Sequence, residues 1–303
     1  MKILLPIDGS FYSDNAVKSL AQCGCCLGKN STVILLNVVR PVLEQVNAEL
    51  TDYEIMGTRF AKVLLRDFYD FESLELFEKT RGELHHLQCK IEEITLAGNP
   101  ADRIAEVAEK MNVDVIIMGS KGKSALRTMV FGSVTEGVLS RTKKPLLLVR
   151  GVPIMCKEDS KIGIAIGGTD YDTAIGSFIK RHRDFFGKSP HFTLIHVIEK
   201  KHHMHCRCGE SDAKRNEEHE KQFEEVIAPI VPLLHEAGVH SKNVCLTGDV
   251  VKSIDTYVAE KRLDFLIMGS HGHRRFDLSL LGSTTLKIAE MIDVPLLIIH
   301  NPE

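Results

Sequence analysis

A glycine signature suited to holding phosphate occurs twice in this sequence. The copies are Gly119-x2-Gly122-x9-Gly132-Ser133 and, 150 positions later, Gly269-x2-Gly272-x9-Gly282-Ser283. Each follows an apolar run, 113–118 or 263–268, which predicts a buried strand that opens into a loop and then a helix. Backbone N–H groups of such a loop and of the helix N-terminus converge on one point, so the pattern predicts phosphate binding.

The duplication extends beyond the glycines. Asp114 and Asp264 share the 150-residue offset, whereas Lys2 and Lys161 are 159 residues apart, so the second half is about nine residues shorter. We predict two domains, 1–150 and 161–303, joined by a linker over 151–160. Expected strands lie at 2–7, 32–39, 91–96, 113–118 and 145–149, then at 161–167, 191–198, 243–247, 264–268 and 295–299. Expected helices lie at 12–27, 52–88, 100–111 and 133–142, with a long charged helix near 213–236.

Strands that alternate with helical crossovers predict a parallel sheet covered on both faces. The fold class is therefore α/β, with two tandem Rossmann-like domains that are doubly wound and carry five-stranded parallel sheets. Ligands of such sheets bind outside the carboxyl ends of the strands, which is where both glycine loops fall.

Composition is that of an ordinary globular protein, with 303 residues, 44% hydrophobic and 26% charged. A net charge of -3 gives no electrostatic case for binding nucleic acid or an anionic membrane. No stretch approaches ~20 apolar residues, and the N-terminus lacks the apolar run of a signal peptide. We therefore predict a cytoplasmic location, where the eight cysteines are thiols or metal ligands rather than disulfides.

With these motifs, the chain resembles the universal stress protein family over nearly its whole length, as two such domains. In that family the glycine signature after a buried strand is the ATP-binding motif, and Pro6-Ile7-Asp8-Gly9-Ser10 is similar to the end of the family's first strand. The resemblance implies a stress-response protein that binds ATP, with Mg²⁺, and acts as a nucleotide-dependent binding or regulatory module.

The resemblance also implies particular contacts. Asp8 would lie near the adenosine, the Val38 backbone beside the adenine, and the loop around the ribose and phosphates. The residue types agree, because glycines let the backbone approach a ligand and Ser133 offers a hydroxyl at the helix N-cap. The predicted contacts are Pro6, Asp8, Val38, Met118, Gly119, Gly122, Gly132, Ser133, Val134 and Thr135, with Val197, Met268, Gly269, Gly272, Gly282, Ser283 and Thr284 in the second half.

The second half departs from this pattern, because Gly167 stands where Asp8 stands. The second loop keeps its glycines and has basic residues such as His271, so we expect it to retain phosphate binding. Without the acid at the strand end, we expect its selectivity for the base and the ribose to be weaker. We predict a tighter first site. A degenerate or differently liganded second pocket is the alternative.

No dedicated catalytic group accompanies the loops. A Walker loop is excluded because Ile117 stands five positions before Gly122, where that motif needs glycine. Asp8 and Glu136 are acids near the expected site, but they form no motif of their own. We predict binding rather than turnover and assign no catalytic residue; the alternative is a slow ATPase or a nucleotidyl-transferring enzyme.

A second alternative is a metal-binding or redox-responsive scaffold. Thiols and imidazoles are the ligands that zinc prefers, although structural zinc sites usually combine two separated pairs. A polar loop with adventitious affinity for metal is the simpler interpretation. The candidate zinc ligands are His202, His203, His205, Cys206 and Cys208.

The last strand of each half, 146–149 or 296–299, is short and wholly apolar. In the universal stress family such strands tend to pair across a dimer, and unpaired they would expose backbone groups at a sheet edge. The resemblance thus implies an intramolecular pseudo-dimer with both loops accessible. Further assembly into a homodimer, and the protein partner, are left open.

Overall fold

The structure is a computed structural model that describes residues 1–22, 27–39, 72–120, 131–150, 159–199, 212–271 and 281–300. Strands and helices alternate along both halves. The first half contains β1 (Lys2–Ile7), α1 (Phe11–Gln22), β2 (Thr32–Val39), α2 (72–84), β3 (Lys90–Ala97), α3 (Pro100–Lys110), β4 (Val115–Gly119), α4 (Ser133–Leu139) and β5 (Leu146–Val149). The second contains β6 (Lys161–Ala165), α5 (Asp170–Arg181), a 3-10 turn (Arg183–Phe186), β7 (His191–Ile198), α6 (Asp212–Ile227), α7 (Val231–Glu236), β8 (Ser241–Thr247), α8 (Val250–Lys261), β9 (Phe265–Gly269), α9 (Ser283–Met291) and β10 (Leu296–Ile299).

The described strands form one sheet in the order β3-β2-β1-β4-β5-β10-β9-β6-β7-β8. Strands within each half are parallel, as apolar strands joined by helical crossovers require. At the centre β5 and β10 are antiparallel, with Leu297 opposite Leu147. The prediction of two tandem α/β layers paired through their last strands is confirmed.

Helices cover both faces of this sheet, so successive strand residues enter different cores. In β1, Ile3 and Leu5 pack into one apolar cluster and Leu4 packs into the other. Every residue of β5 and β10 is buried, so their pairing removes two apolar edges from water. No described helix combines the length and apolar character that a bilayer crossing requires.

Several expected helices differ in extent from those observed, and α1 ends at Gln22 with Leu27 outside any helix. The helix predicted over 213–236 is interrupted after Ile227, and α7 begins at Val231 with Pro232 in its first turn. Proline lacks an N–H and is tolerated in a first turn rather than in a helix interior, which explains the break. The helix predicted over 133–142 ends at Leu139 instead. Of the helix predicted over 52–88, the structure describes 72–84 as helical.

Candidate functional site

Asp8 projects from the turn between β1 and α1, at the carboxyl edge of the sheet. The turn is possible because Gly9 adopts φ +72°, a left-handed conformation that glycine takes without steric cost. Asp8 is exposed, and its Oδ1 accepts the N–H of Ser10 at 3.0 Å. Ser13 in α1 accepts the N–H of Asp8 through its Oγ at 3.4 Å. The carboxylate is therefore oriented by the turn, with one face open to a ligand.

Gly119 ends β4, the strand next to β1, so it lies at the same sheet edge as Asp8. A Cβ on Gly119 would stand 1.8 Å from the carbonyl oxygen of Tyr12 in α1. A Cβ on Gly269 would likewise stand 2.6 Å from the Cβ of Tyr171 in α5. The first glycine of each signature thus allows a helix to pack against the strand end. Close approach to a ligand is not needed to explain glycine at these two positions.

Gly132 behaves differently, because among the described residues no atom outside its chain neighbours lies within 4 Å of the Cβ position. It is the N-cap of α4, with φ -68° and ψ 153°, and its carbonyl accepts the N–H of Glu136 at 3.0 Å. The expectation that Ser133 is the N-cap is wrong, since Ser133 is the first residue within the helix. The described residues therefore leave space beside Gly132 for a ligand group.

In the second half, a carboxylate is present at a different place. Asp172, in the first turn of α5, accepts the N–H groups of Gly168 at 2.7 Å, Thr169 at 3.0 Å and Gly167 at 3.3 Å. It is 2% exposed, and it occupies the position equivalent to Ser13. The acid missing from the strand end is thus replaced by one that binds the turn's own amides. Those amides are no longer available to a ligand.

A second pair of equivalent residues, on the neighbouring strands β2 and β7, contacts the backbone just before each turn. The Asn37 Nδ2 in β2 donates to the Ile7 carbonyl at 2.9 Å, and the His196 Nδ1 in β7 lies 3.1 Å from the Ile166 carbonyl. Burial raises the pKa of the Asp172 carboxyl, and its three N–H donors and then His196 oppose that shift. These supporting residues were not predicted. The 159-residue offset pairs Asn37 with His196, but only the fold shows what they contact.

The family model for the universal stress protein family matches residues 1–150 and 163–300. The chain belongs to the universal stress protein family. The matched ranges cover both halves, so the resemblance seen in the glycine signatures extends to two domains in tandem.

Some relatives of this universal stress protein match one half of the chain, and others match nearly all of it. It is 39% identical over 158 residues to a universal stress protein of Methanocaldococcus jannaschii, covering 49% of this chain and 94% of that one. A universal stress protein of Synechocystis is 23% identical over 312 residues, covering 97% of this chain and 98% of the relative. A solved universal stress protein from Archaeoglobus fulgidus matches with a TM-score of 0.66 at 20% identity, covering 99% and 98% of the two chains.

The structure describes some of the remaining predicted contacts of this universal stress protein and not others. Pro6 and Val38 are half-buried near the carboxyl ends of their strands. Met118, Val197 and Met268 are buried near the ends of theirs, and Thr135 is buried in α4. Gly122 and Gly272 lie outside the described residues, as does the candidate zinc segment His202–Cys208. The described residues contain no group of three or more His, Cys, Asp or Glu placed to hold a metal ion.

Proposed function

We propose that the first half binds ATP and that the protein acts as a nucleotide-dependent regulatory module in a stress response. The observation that carries this proposal is the pairing of the exposed, oriented Asp8 carboxylate with Gly132, which no described residue obstructs, at the same end of one sheet. Family membership supports it, since the glycine signature is present in full. A cytoplasmic location goes with this proposal.

The proposal assigns weaker nucleotide binding to the second half. Gly167 has no side chain to contact a ribose, and Asp172 already binds the amides of residues 167–169. A phosphate near this turn would face a buried carboxylate rather than free N–H groups. The first feature removes a contact to the ribose, and the second opposes an anionic group at the turn.

Calorimetric titration with ATP and Mg²⁺ tests the assignment of the first site. Gly132→Val places a side chain in the open space and should abolish the tighter binding event, whereas the matched variant Gly282→Val in the second half should leave it unchanged. Asp8→Gly introduces at position 8 the residue found at the equivalent position 167. The loss of one charge-assisted hydrogen bond should weaken the affinity of the first site for ATP roughly ten- to a hundredfold. Unchanged affinity in a folded Gly132→Val protein would contradict the proposal.

The nature of the copurifying ligand separates this function from the alternatives. Protein purified without added ligand should carry ATP, detected by chromatography of the released nucleotide. Enrichment of ADP or AMP would instead favour a slow hydrolase or a nucleotidyl-transferring enzyme. Zinc without nucleotide, detected by elemental analysis, would favour the metal-binding scaffold.

A further inference from the structure

Arg150 connects the first glycine loop to the second domain. It directly follows β5 and is 3% exposed. Its Nε donates to the Oγ of Ser120 at 3.1 Å, and Ser120 is the residue after Gly119. Its Nη1 donates to the carbonyl oxygen of Ile292 at 3.1 Å. One side chain therefore contacts both Ser120, which follows β4 and is not itself a predicted nucleotide contact, and the other half of the protein.

The contact in the second domain lies at the end of an element that begins at the second glycine loop. Ile292 is the C-cap of α9, whose N-cap is Gly282. Burial lowers the pKa of the Arg150 guanidinium, and the carboxylates of Asp293 and Glu290 oppose that shift. The positive charge is thus stabilised by groups at the C-terminal end of α9.

The geometry of guanidinium makes this contact stiff. The group is planar, so Nε and Nη1 cannot move independently, and a shift of Ser120 changes the distance from Nη1 to Ile292. Within the described part of the chain, Nη2 is buried without a hydrogen-bond partner. Losing either of the other two bonds would leave more of a buried cation unsatisfied, which raises the cost of moving it.

The equivalent position in the second half carries His300, which lies 150 residues after Arg150. Its Nε2 is buried and has no hydrogen-bond partner among the described residues. Burial, followed by the charges of His271 and Lys143, lowers the pKa of His300 to about 4, so the ring is neutral at pH 7. Of these two equivalent positions, the one in the first half therefore carries the cation at pH 7.

We infer that Arg150 is a positioning residue that couples the first glycine loop to the packing of the second domain. Nucleotide binding at the first site then stabilises α9 and β10, and by linkage the second domain strengthens nucleotide binding at the first site. This inference rests on the proposed function, because the ligand is ATP at the first site.

Hydrogen exchange of the full chain, with and without ATP, tests the coupling. All proteins carry Gly282→Val, so that ATP does not act through the second glycine loop. In this parent, ATP should slow amide exchange in 131–139 at the first site and in 286–299 of the second domain. Arg150→Gln and Ser120→Ala should keep the slowing in 131–139 and lose it in 286–299. His300→Gln is the matched control and should keep both.

Each outcome bears on a different statement. Absence of slowing in 131–139 of the parent would contradict ATP binding itself. In the parent, slowing of exchange in 131–139 without slowing in 286–299 would overturn the coupling while leaving ATP binding intact. Slowing in 286–299 that persists in both Arg150→Gln and Ser120→Ala would overturn the role of Arg150. Ser120→Ala leaves the buried cation in place, so it decides the matter if Arg150→Gln fails to fold. Arg150→Gln should also weaken ATP binding by about fivefold or more.

Discussion

Replacing His300 by Gln should remove part of the protein's sensitivity to acid. Its pKa is about 4 in the folded protein against 6.5 for an ordinary histidine. As pH falls below 6.5 the unfolded chain gains a proton that the folded protein resists until pH 4, so folding stability is lost across that window. The full shift corresponds to about 3 kcal/mol, of which about 2 kcal/mol is lost by pH 4.5.

Urea unfolding at pH 7 and pH 4.5 measures this loss. Carboxyl groups also titrate between these values, so the quantity of interest is the difference between proteins in the stability that each loses. The wild type should lose about 2 kcal/mol more than His300→Gln. His191→Gln alters an exposed histidine and should behave like the wild type. Equal losses in the wild type and in His300→Gln would refute the burial of a neutral imidazole at this position.

Three further predictions follow from packing and hydrogen bonding. Gly119→Ala should lower the free energy of unfolding by about 3 kcal/mol because its Cβ would meet the Tyr12 carbonyl, whereas Gly132→Ala should cost less than about 1 kcal/mol; thermal denaturation distinguishes them. Leu297→Lys buries an unpaired charge at the β5–β10 pair and should separate the halves, and an unchanged small-angle scattering profile would argue against this. Asp172→Asn should destabilise the protein by about 1.5–3 kcal/mol, measured by urea unfolding; an unchanged midpoint would contradict its role as acceptor for three N–H groups.

The fold was predictable because its signals are local and repeated. The apolar runs before Gly119 and Gly269 identify β4 and β9, and the chain between successive parallel strands is long enough for helical crossovers. The wholly apolar strands 146–149 and 296–299 predict a buried edge contact, which is the observed β5–β10 pair. The antiparallel sense follows from a pseudo-twofold relation between similar halves.

The second site was less predictable because it depends on which backbone groups the Asp172 side chain contacts. The sequence shows that Gly167 lacks a carboxylate and that Asp172 replaces Ser13. It does not show that Asp172 folds back onto the amides of residues 167–169, since this requires the angle between β6 and α5. The break between Ile227 and Val231 was missed although Pro229 and Pro232 mark it in the sequence, because the expected helix was extended across both prolines. The zinc segment stays a prediction outside the described residues.

The covalent joining of the halves through one chain changes what a substitution can do. In a symmetric homodimer every mutation is copied into both subunits, so loss of the strand-end acid would remove it from both sites at once. Here the β5–β10 pair holds two different sequences together, and Asp8 in one half corresponds to Gly167 in the other. A substitution in the tandem chain therefore alters one half and leaves the other unchanged, so the two strand ends can differ within a single molecule.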